Sequence, residues 1–499
     1  MVDICLCFTI HEPYFLRRYT IFDVKENSIY EDDDRSCNHM ISLAKNSYLP
    51  MMEILYNHCR HYPEFHFALT VSSPAIDLFE QYTPEVLVGL RALAKTGCVE
   101  FITETAPHSL AFLYSKEEFI RQVRSQNERL EKEFGQKPVT FRHMELLYNN
   151  ELAKAVEGLG LKNILAEGNR HVLGWRNTNY VYTSQVAPDV NILLRNKQLS
   201  SDLSDRFSRR DWNEWPLTAE KFASWCTKMG DVDCINVFTD FHVFGLRNPA
   251  DSGIFDFMRA LPQAIFNCKN LKFATPNEVV KDCKSKDSLD VPEYISWRDE
   301  GCDIRGWLGN AMQHDAITTI YGLAPRVRAL RDPELTAIFE RLQTSDYFHH
   351  MSTRWFSESQ PDRPSPFLSP YDAYITYMNI LEDFQWRLTI AADPSKNEAK
   401  AKLEAETKGA TQPETKIREA TAPTSQPEAK AKEAPHKIIF KTSTKHAPTK
   451  ATETPTETKT TEPAAPKKTT TKPKSKGLPK KTTTAPKTPK TTKTTKKKS

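Results

Sequence analysis

The sequence predicts an α/β fold built on a parallel sheet or barrel, and two observations support this prediction. Short segments rich in β-branched and aromatic residues recur through the first 280 residues, separated by longer helix-compatible stretches. These segments are mostly apolar instead of cleanly alternating, which is typical of strands buried on both faces. Strands that alternate with helices indicate βαβ units.

Seven segments have this strand-like composition: ICLCFTI (4–10), FHFALTV (65–71), VEFITET (99–105), VTFRHM (139–144), NILAEG (163–168), INVFTD (235–240) and LKFATP (271–276). The stretch PEVLVGLRALAKTG (84–97) has helical spacing and ends on Gly97, a favoured residue after a helix. It represents the helices expected between the strands.

Beyond about residue 285 the pattern becomes helical. The segment 332–343 places four apolar residues on one helical face, and 369–388 predicts a long helix that begins near Pro370. We therefore predict a barrel over 1–284, a helical region over 285–392 and a separate tail over 393–499.

The tail differs from the body in charge. Residues 393–499 contain 26 Lys and Arg against 11 Asp and Glu, whereas residues 1–392 contain 42 against 53. A tail of mostly Lys, Thr, Pro, Ala and Glu cannot bury enough apolar surface to offset the entropy of ordering, so we expect disorder. Its Lys-rich end could contact polyanions, with a solubilising role as the simpler interpretation.

The ten cysteines show no CxxC pair, which favours reduced, buried thiols. No leader-like segment follows Met1, and no apolar run approaches the ~18 residues of a membrane helix. We expect a cytoplasmic protein with no membrane contact. Oligomeric state is not encoded in any pattern we recognise.

Polar residues follow most of the predicted strands. They are His11, Glu104 and His108, Glu145, Glu167, and Asp240 with His242. The active site of a β/α barrel is assembled at the carboxyl ends of its strands. Two carboxylates on different strands, Glu145 and Asp240, suggest glycoside hydrolysis. The alternative is that either carboxylate forms a structural ion pair with an arginine such as Arg142.

Other chemistries fit the sequence less well. His11, His108, His143 and His242 could converge on a metal, but no HExxH or CxxC spacing supports a metal site. The GLGL motif (158–161) precedes a strand instead of following one, so a dinucleotide site is disfavoured. No G-x-S-x-G elbow is present. The chemistry implies no cofactor.

Several ordered blocks resemble glycoside hydrolase family 57, the α-amylase and 4-α-glucanotransferase group, over roughly residues 1–390. Among them are HEPYFLRRYTIFD (11–23), FGQKPVTFRHMELLYNNELAKAVEGLG (134–160), TDFHVFGLRNPADSGIFDF (239–257) and SWRDEGCDIRGWLGNAMQ (296–313). The resemblance implies an incomplete (β/α)7 barrel whose helical C-terminal region completes the site. It also implies an α-glucan or maltooligosaccharide substrate.

The resemblance implies a retaining mechanism with Glu145 as nucleophile and Asp240 as general acid/base. It further implies that His11 holds a sugar hydroxyl, and that Trp307 and Asp346 border the cleft. From their residue types and positions, we add three candidates for sugar contact: His108, Trp175 and His242.

The sequence departs from the family pattern beside these residues. Glu12 stands where the family usually has Gln, and His143-Met144 replaces Asn-Thr. In the acid block, His242 replaces a Glu and Leu246-Arg247 replaces a Glu-His pair. The leading hypothesis is an amylase or glucanotransferase, and the alternative is an α-glucan-binding protein with a weakened site.

Overall fold

The computed structural model describes residues 1–298, 301–354 and 365–393. The tail predicted over 393–499 lies outside the described residues except for Asp393, so its disorder and its polyanion contact stay predictions. None of the described helices is both long enough and apolar enough to cross a membrane.

Each of the seven predicted segments contains a strand, and the described residues add three more. In chain order the strands are β1 Val2–Ile10, β2 Phe67–Val71, β3 Val99–Ile102, β4 Thr140–Arg142, β5 Asn163–Glu167, β6 Val181–Ser184, β7 Asn191–Arg195, β8 Cys234–Asp240, β9 Leu271–Phe273 and β10 Asp287–Leu289.

Seven parallel strands form a nearly closed ring in the order β1, β2, β3, β4, β5, β7, β8 and back to β1. At the β3–β4 joint, the Thr103 N–H donates to the Thr140 carbonyl at 3.0 Å. The β7–β8 joint is a single pair, Arg195 with Asn236. The incomplete (β/α)7 barrel is thereby confirmed.

One member of the ring differs from the predicted set. Strand β9 pairs with Val2–Ile4 at the start of β1, before β2 begins to pair. Its expected place belongs to β7, which the sequence analysis missed. The apolar run of β7 covers only residues 192–194 between polar neighbours, too short for the pattern to stand out.

The helices surround and follow the ring. They are α1 Asp33–Leu43, α2 Leu49–His61, α3 Ser73–Tyr82, α4 Pro84–Ala94, α5 Ala111–Tyr114, α6 Lys116–Phe134, α7 Asn150–Gly158, α8 Arg170–Leu173, α9 Lys197–Ser201, α10 Ala219–Thr227, α11 Ile254–Phe266, α12 Pro276–Asp282, α13 Arg305–Leu308, α14 Ala311–Gly322, α15 Ala324–Leu330, α16 Pro333–Leu342, α17 Ser345–His350 and α18 Pro370–Ala392.

The predicted helices form close to their expected bounds. Helix α18 begins where the Ser369 side chain accepts from the Asp372 N–H, with Pro370 in the first turn. Helix α4 ends three residues before Gly97, which has the expected positive φ of 78°.

Side chains of β1 and β8 alternate between the helices and the barrel interior. In β1, Leu6 and Phe8 pack with the helices, whereas Cys5 and Cys7 face inward. In β8 the outward positions are 235 and 237, and the inward positions are 234 and 238. Because the period is two, the inward rows continue to positions 11 and 240 at the carboxyl ends of the strands.

Gly245 allows the loop after β8 to pass against the turn that follows α1. Its φ is 100°, and an added Cβ would lie 2.0 Å from the Asn46 carbonyl oxygen. We expect Gly245→Ala to lower the free energy of unfolding by roughly 2–5 kcal/mol, since it adds both backbone strain and a clash. Urea unfolding measures this change.

The matched control is Gly135→Ala. Gly135 also has a positive φ, 71°, but nothing lies within 4 Å of its added Cβ. The free energy of unfolding of Gly135→Ala should fall by only about 1–2 kcal/mol. Equal losses at the two positions would contradict the close approach at Gly245.

Candidate active site

Each ring strand places one inward-facing polar residue at the mouth of the barrel. In ring order these residues are His11, Ser72, Glu104, Arg142, Glu167, Arg195 and Asp240. Neighbouring members bond across the strands: the His11 Nδ1 lies 2.8 Å from the Ser72 Oγ, and the Arg195 Nη1 lies 3.3 Å from the Glu167 Oε2. The mouth is therefore lined by a layer of mostly buried polar side chains.

Glu145 lies in the turn that follows β4. The Arg298 Nη2 is 3.0 Å from its Oε1, and the Trp297 indole N–H donates to its Oε2. A cation and a second donor on the same carboxylate favour its ionised form. The backbone of Glu145 has φ 47°, a conformation that non-glycine residues keep only when their surroundings fix it.

The alternative prediction, an ion pair between Glu145 and an arginine, is partly correct, but the arginine is not Arg142. Arg142 does not pair with Glu145; its Nη1 lies 3.9 Å from the Glu104 Oε2. Arg298, from the segment after β10, takes that role.

Trp297 packs beside two arginines, Arg142 and Arg195. The guanidinium carbon of Arg142 is 5.4 Å from one indole ring centroid, and that of Arg195 is 4.9 Å away. Each arginine has a carboxylate of its own, Glu104 or Glu167. We refer to Arg142, Trp297 and Arg195 as the Arg–Trp–Arg stack.

Asp240 ends β8 in a different environment. Among the described residues, its recorded ion-pair neighbour is His242, whose Nε2 lies 3.9 Å from the Asp240 Oδ2. The Asp240 side chain keeps 14% of its surface exposed. Glu145 is thus tied to a fixed cation, whereas Asp240 faces a titratable group.

His11 and His108 stack with ring centroids 3.8 Å apart. The His11 Nε2 is 2.8 Å from the Asp346 Oδ2, and the His108 Nδ1 is 2.6 Å from the Glu104 Oε2. Burial opposes ionisation of Glu104, but His108 and Arg142 more than offset it and hold its pKa below the ordinary value. The structure thus joins three predicted site residues, His11, His108 and Asp346.

The two tryptophans predicted to contact sugar or to border the cleft, Trp307 and Trp175, differ in exposure. Trp307 is 1% exposed and packs in the core, with its ring 5.8 Å from that of His349, so in this conformation it offers no surface to a sugar. Trp175 is 90% exposed in the loop after α8, beside Arg176. Their sugar contacts stay predictions.

A cavity of about 690 Å³ opens at the mouth. Its described lining residues are Glu12, Pro13, Phe15, Asp32, Asp34, Arg35, Asn38, His39, His242, Leu246, Asp346 and His350. His242 and Leu246 come from the loop that begins at Asp240. The cavity therefore adjoins the Asp240 side of the site.

The departures from the family pattern have local partners. Glu12 accepts from the Tyr48 hydroxyl at 2.6 Å and lies 2.9 Å from the His39 Nε2. Arg247 pairs with Asp205 at 2.7 Å. These two substitutions are thus accommodated by their surroundings.

Within the described residues, no group of three or more His, Cys, Asp or Glu side chains is arranged to hold a metal ion. The ten cysteines are all free thiols.

Sequence reasoning missed Arg195, Trp297 and Arg298 as members of the site. Extending the inward row of β7 by one period would have indicated Arg195, had the strand been recognised. Trp297 and Arg298 lie in the block 296–313 that resembles the family, but nothing in that block points to Glu145, which Trp297 reaches across 152 positions of sequence.

Comparison with known proteins agrees with this architecture. Residues 5–292 match the family model of Glycosyl hydrolase family 57. A Methanocaldococcus jannaschii protein named "Putative alpha-amylase" is 34% identical over 396 residues, covering 76% of this chain and 83% of that protein.

Three solved structures share the fold. A 4-alpha-glucanotransferase from Thermococcus litoralis has a TM-score of 0.56 at 14% identity over 70% of this chain, which spans only 56% of that structure. A branching enzyme from Pyrococcus horikoshii has a TM-score of 0.54 at 14% identity, covering 77% of this chain and 88% of that one. An alpha-amylase from Thermotoga maritima has 0.53 at 12% identity, covering 81% and 97%.

Two buried histidines beside the site predict acid sensitivity. Burial lowers the pKa of both His143 and His349 to about 3. Unfolded histidines take up protons near pH 6.5, whereas these two stay neutral in the folded protein, so the unfolded state binds more protons as pH falls. Below pH 6.5 the free energy of unfolding should fall by up to about 2.7 kcal/mol per pH unit.

Urea unfolding at pH 7, 6 and 5 tests this. His143→Phe should make the decline shallower by about 1.4 kcal/mol per pH unit, because it removes one of the two groups. His314→Phe, at an exposed position of α14, is the control and should keep the wild-type slope. An unchanged slope in His143→Phe would contradict the assignment.

Proposed function

This chain belongs to glycosyl hydrolase family 57, and we propose that it is a retaining enzyme of α-1,4-glucans, with Glu145 as nucleophile and Asp240 as general acid/base. The relatives described above are named as an alpha-amylase, a 4-alpha-glucanotransferase and a branching enzyme, which supports α-glucan as the substrate class.

The contrast between the two carboxylates is the observation that carries the assignment of roles. A nucleophile must be ionised, and Glu145 is held by Arg298 and by the Trp297 N–H. A general acid/base must release and regain a proton, and the ion-pair neighbour of Asp240 among the described residues is the titratable side chain of His242. The two carboxyl groups therefore lie in different surroundings, as an acid and a nucleophile do in such sites.

The reaction then follows in two displacements. Asp240 protonates the glycosidic oxygen while a Glu145 oxygen attacks the anomeric carbon, which gives a covalent glycosyl-enzyme. Asp240, now ionised, removes a proton from water or from an acceptor hydroxyl, and that oxygen displaces Glu145.

Asp346 is the better placed partner for a sugar hydroxyl. The His11 side chain is fully buried, with its ring nitrogens at Ser72 and Asp346, whereas Asp346 keeps 11% of its side chain exposed and lines the cavity. In this proposal His11 orients Asp346, and His108 supports His11 through the stacked rings. His242 lines the cavity as well and completes the polar contacts.

The cavity beside Asp240 is the proposed position of the leaving group and of the acceptor, because Asp240 acts on both. Its lining combines apolar Pro13, Phe15 and Leu246 with carboxylates and histidines. Apolar side chains can pack on the faces of sugar rings, so this lining favours transfer to a sugar over hydrolysis.

We place the enzyme in the cytoplasm. The support is that all ten cysteines are free, including Cys5 and Cys7, whose sulfurs lie 3.6 Å apart. Disulfides are rare in reducing compartments.

Maltoheptaose, with products followed over time, tests the two roles. Asp240→Asn should reduce turnover by about 10²–10⁴-fold through loss of acid/base catalysis, and Glu145→Gln should reduce it further through loss of the nucleophile. Asp256→Asn and Glu334→Gln, both exposed, are the matched controls and should keep full activity.

An activated substrate separates the roles. With α-glucosyl fluoride the leaving group needs no proton, so Asp240→Asn should recover much of the first step, whereas Glu145→Gln should not. Equal recovery in both variants would contradict the assignment. Glucan binding without turnover in the wild type would favour the alternative function.

The apolar lining predicts the balance between transfer and hydrolysis. Leu246→Glu should lower the ratio of transfer to hydrolysis by about fivefold, equivalent to roughly 1 kcal/mol of apolar contact with the acceptor. Product ladders from maltoheptaose give the ratio. Leu368→Glu, at a residue that is 96% exposed outside the cavity, is the control. An unchanged ratio in Leu246→Glu would argue against acceptor binding there.

A further inference from the structure

Trp297 is attached to the Glu145 turn at two points. Its backbone N–H donates to the Glu145 carbonyl at 3.1 Å, and its indole N–H donates to the carboxylate. Two residues before Trp297, Ile295 exchanges both backbone hydrogen bonds with Tyr148, at 2.9 and 3.0 Å. The segment that carries Trp297 is therefore paired with the turn that carries Glu145.

We propose that Trp297 is the positioning residue of the nucleophile, and that the Arg–Trp–Arg stack fixes its indole so that the N–H points at Glu145. The inference rests on the proposed function, in which Glu145 attacks the anomeric carbon. Trp297 forms no bond to the substrate in this role; it acts through its hydrogen bond to the Glu145 carboxylate.

The stack restrains the ring because one guanidinium carbon lies 5.4 Å and another 4.9 Å from ring centroids of the indole. A guanidinium packed over an indole is stabilising, more so when the pair is desolvated. Arg142 and Arg195 are both buried, and the ends of β4 and β7 position them. Arg195 pairs with Glu167 at 3.3 Å, and the Arg142 Nη1 lies 3.9 Å from the Glu104 Oε2. Rotation of the indole would therefore disturb its contacts with both guanidiniums.

The strained turn makes such a restraint necessary. Glu145 and Leu146 both have positive φ, 47° and 54°. Residues in this region persist only where the surroundings fix them. Trp297 bonds the backbone carbonyl and the side chain of Glu145 together, so it fixes the turn and the carboxylate relative to each other.

Trp297 and Arg298 contact different oxygens of the Glu145 carboxylate. Arg298 supplies a positive charge to Oε1, and Trp297 supplies a directed neutral donor to Oε2. Loss of the donor should raise the pKa of Glu145, because hydrogen bonds to the ionised form favour it. It should also leave the carboxylate free to rotate away from the anomeric carbon.

Several charged or titratable groups lie near Glu145 and bear on the pH profile of the reaction. Arg298 stays charged at all accessible pH values. His349 of α17 adds no titration above its pKa of about 3, which burial and Arg298 lower. Arg142 and Arg195 lie beside the indole, and Asp240 with His242 follows β8. Among these groups, Glu145 is the one that must be ionised for attack, so we assign the acidic limb of the pH profile to it.

The test replaces Trp297 by Phe and, separately, by benzothienylalanine, which keeps the shape of indole but lacks the N–H. Both variants should lower kcat on maltoheptaose by about 10–100-fold with KM changed less than about threefold. Both should move the acidic limb of kcat/KM upward by about one pH unit. Trp225→Phe, a half-buried tryptophan on α10 that packs against Lys221, is the control and should change neither quantity.

An unchanged pH profile and kcat in the benzothienylalanine variant would overturn the proposal even if Trp297→Phe failed to fold. A second readout does not depend on turnover. The pH-dependent fluorescence of wild type minus Trp297→Phe should titrate with Glu145 and disappear in Glu145→Gln. If the wild type shows no turnover, the proposed function alone is overturned, because the fluorescence titration still decides whether Trp297 bonds the Glu145 carboxylate. If the fluorescence titration is absent, the positioning role of Trp297 is overturned.

Discussion

Two buried ion pairs, Glu104 with Arg142 and Glu167 with Arg195, form the constraint on which the mouth of the barrel depends. Each joins neighbouring strands of the ring, and Glu167 and Arg195 are directly paired in the β5–β7 register. A buried charge that loses its partner costs several kcal/mol, so all four residues are held together. Trp297 packs beside both arginines, and through it the constraint reaches Glu145.

The sequence predicted the barrel and the two carboxylates because both are local signals. An apolar run that ends on an acid, as in β8 and Asp240, indicates a buried strand with a polar end. Strand β7 was missed in the sequence because its apolar run is only three residues long. Trp297 and Arg298 were missed for a different reason: they lie in a block that resembles the family, but their contact with Glu145 is created by folding and cannot be read from that block. Trp307 shows the converse, since its block matches the family while its ring lies in the core.

The departures from the family pattern affect the two sides of the site unequally. Glu12 is satisfied by Tyr48 and His39, and Arg247 by Asp205. His242 and Leu246 instead line the cavity next to Asp240. The changes beside Asp240 thus face the cavity, whereas those beside Glu145, at His143 and Met144, are fully buried.

Stereochemistry tests the central claim, a retaining reaction through Glu145, most directly. Proton NMR of the first products released from maltoheptaose, recorded before mutarotation, gives the configuration of the new anomeric centre. The account predicts that the α-anomer forms first, because two displacements restore the original configuration. Initial formation of the β-anomer would mean a single displacement by water, and would contradict Glu145 as a nucleophile.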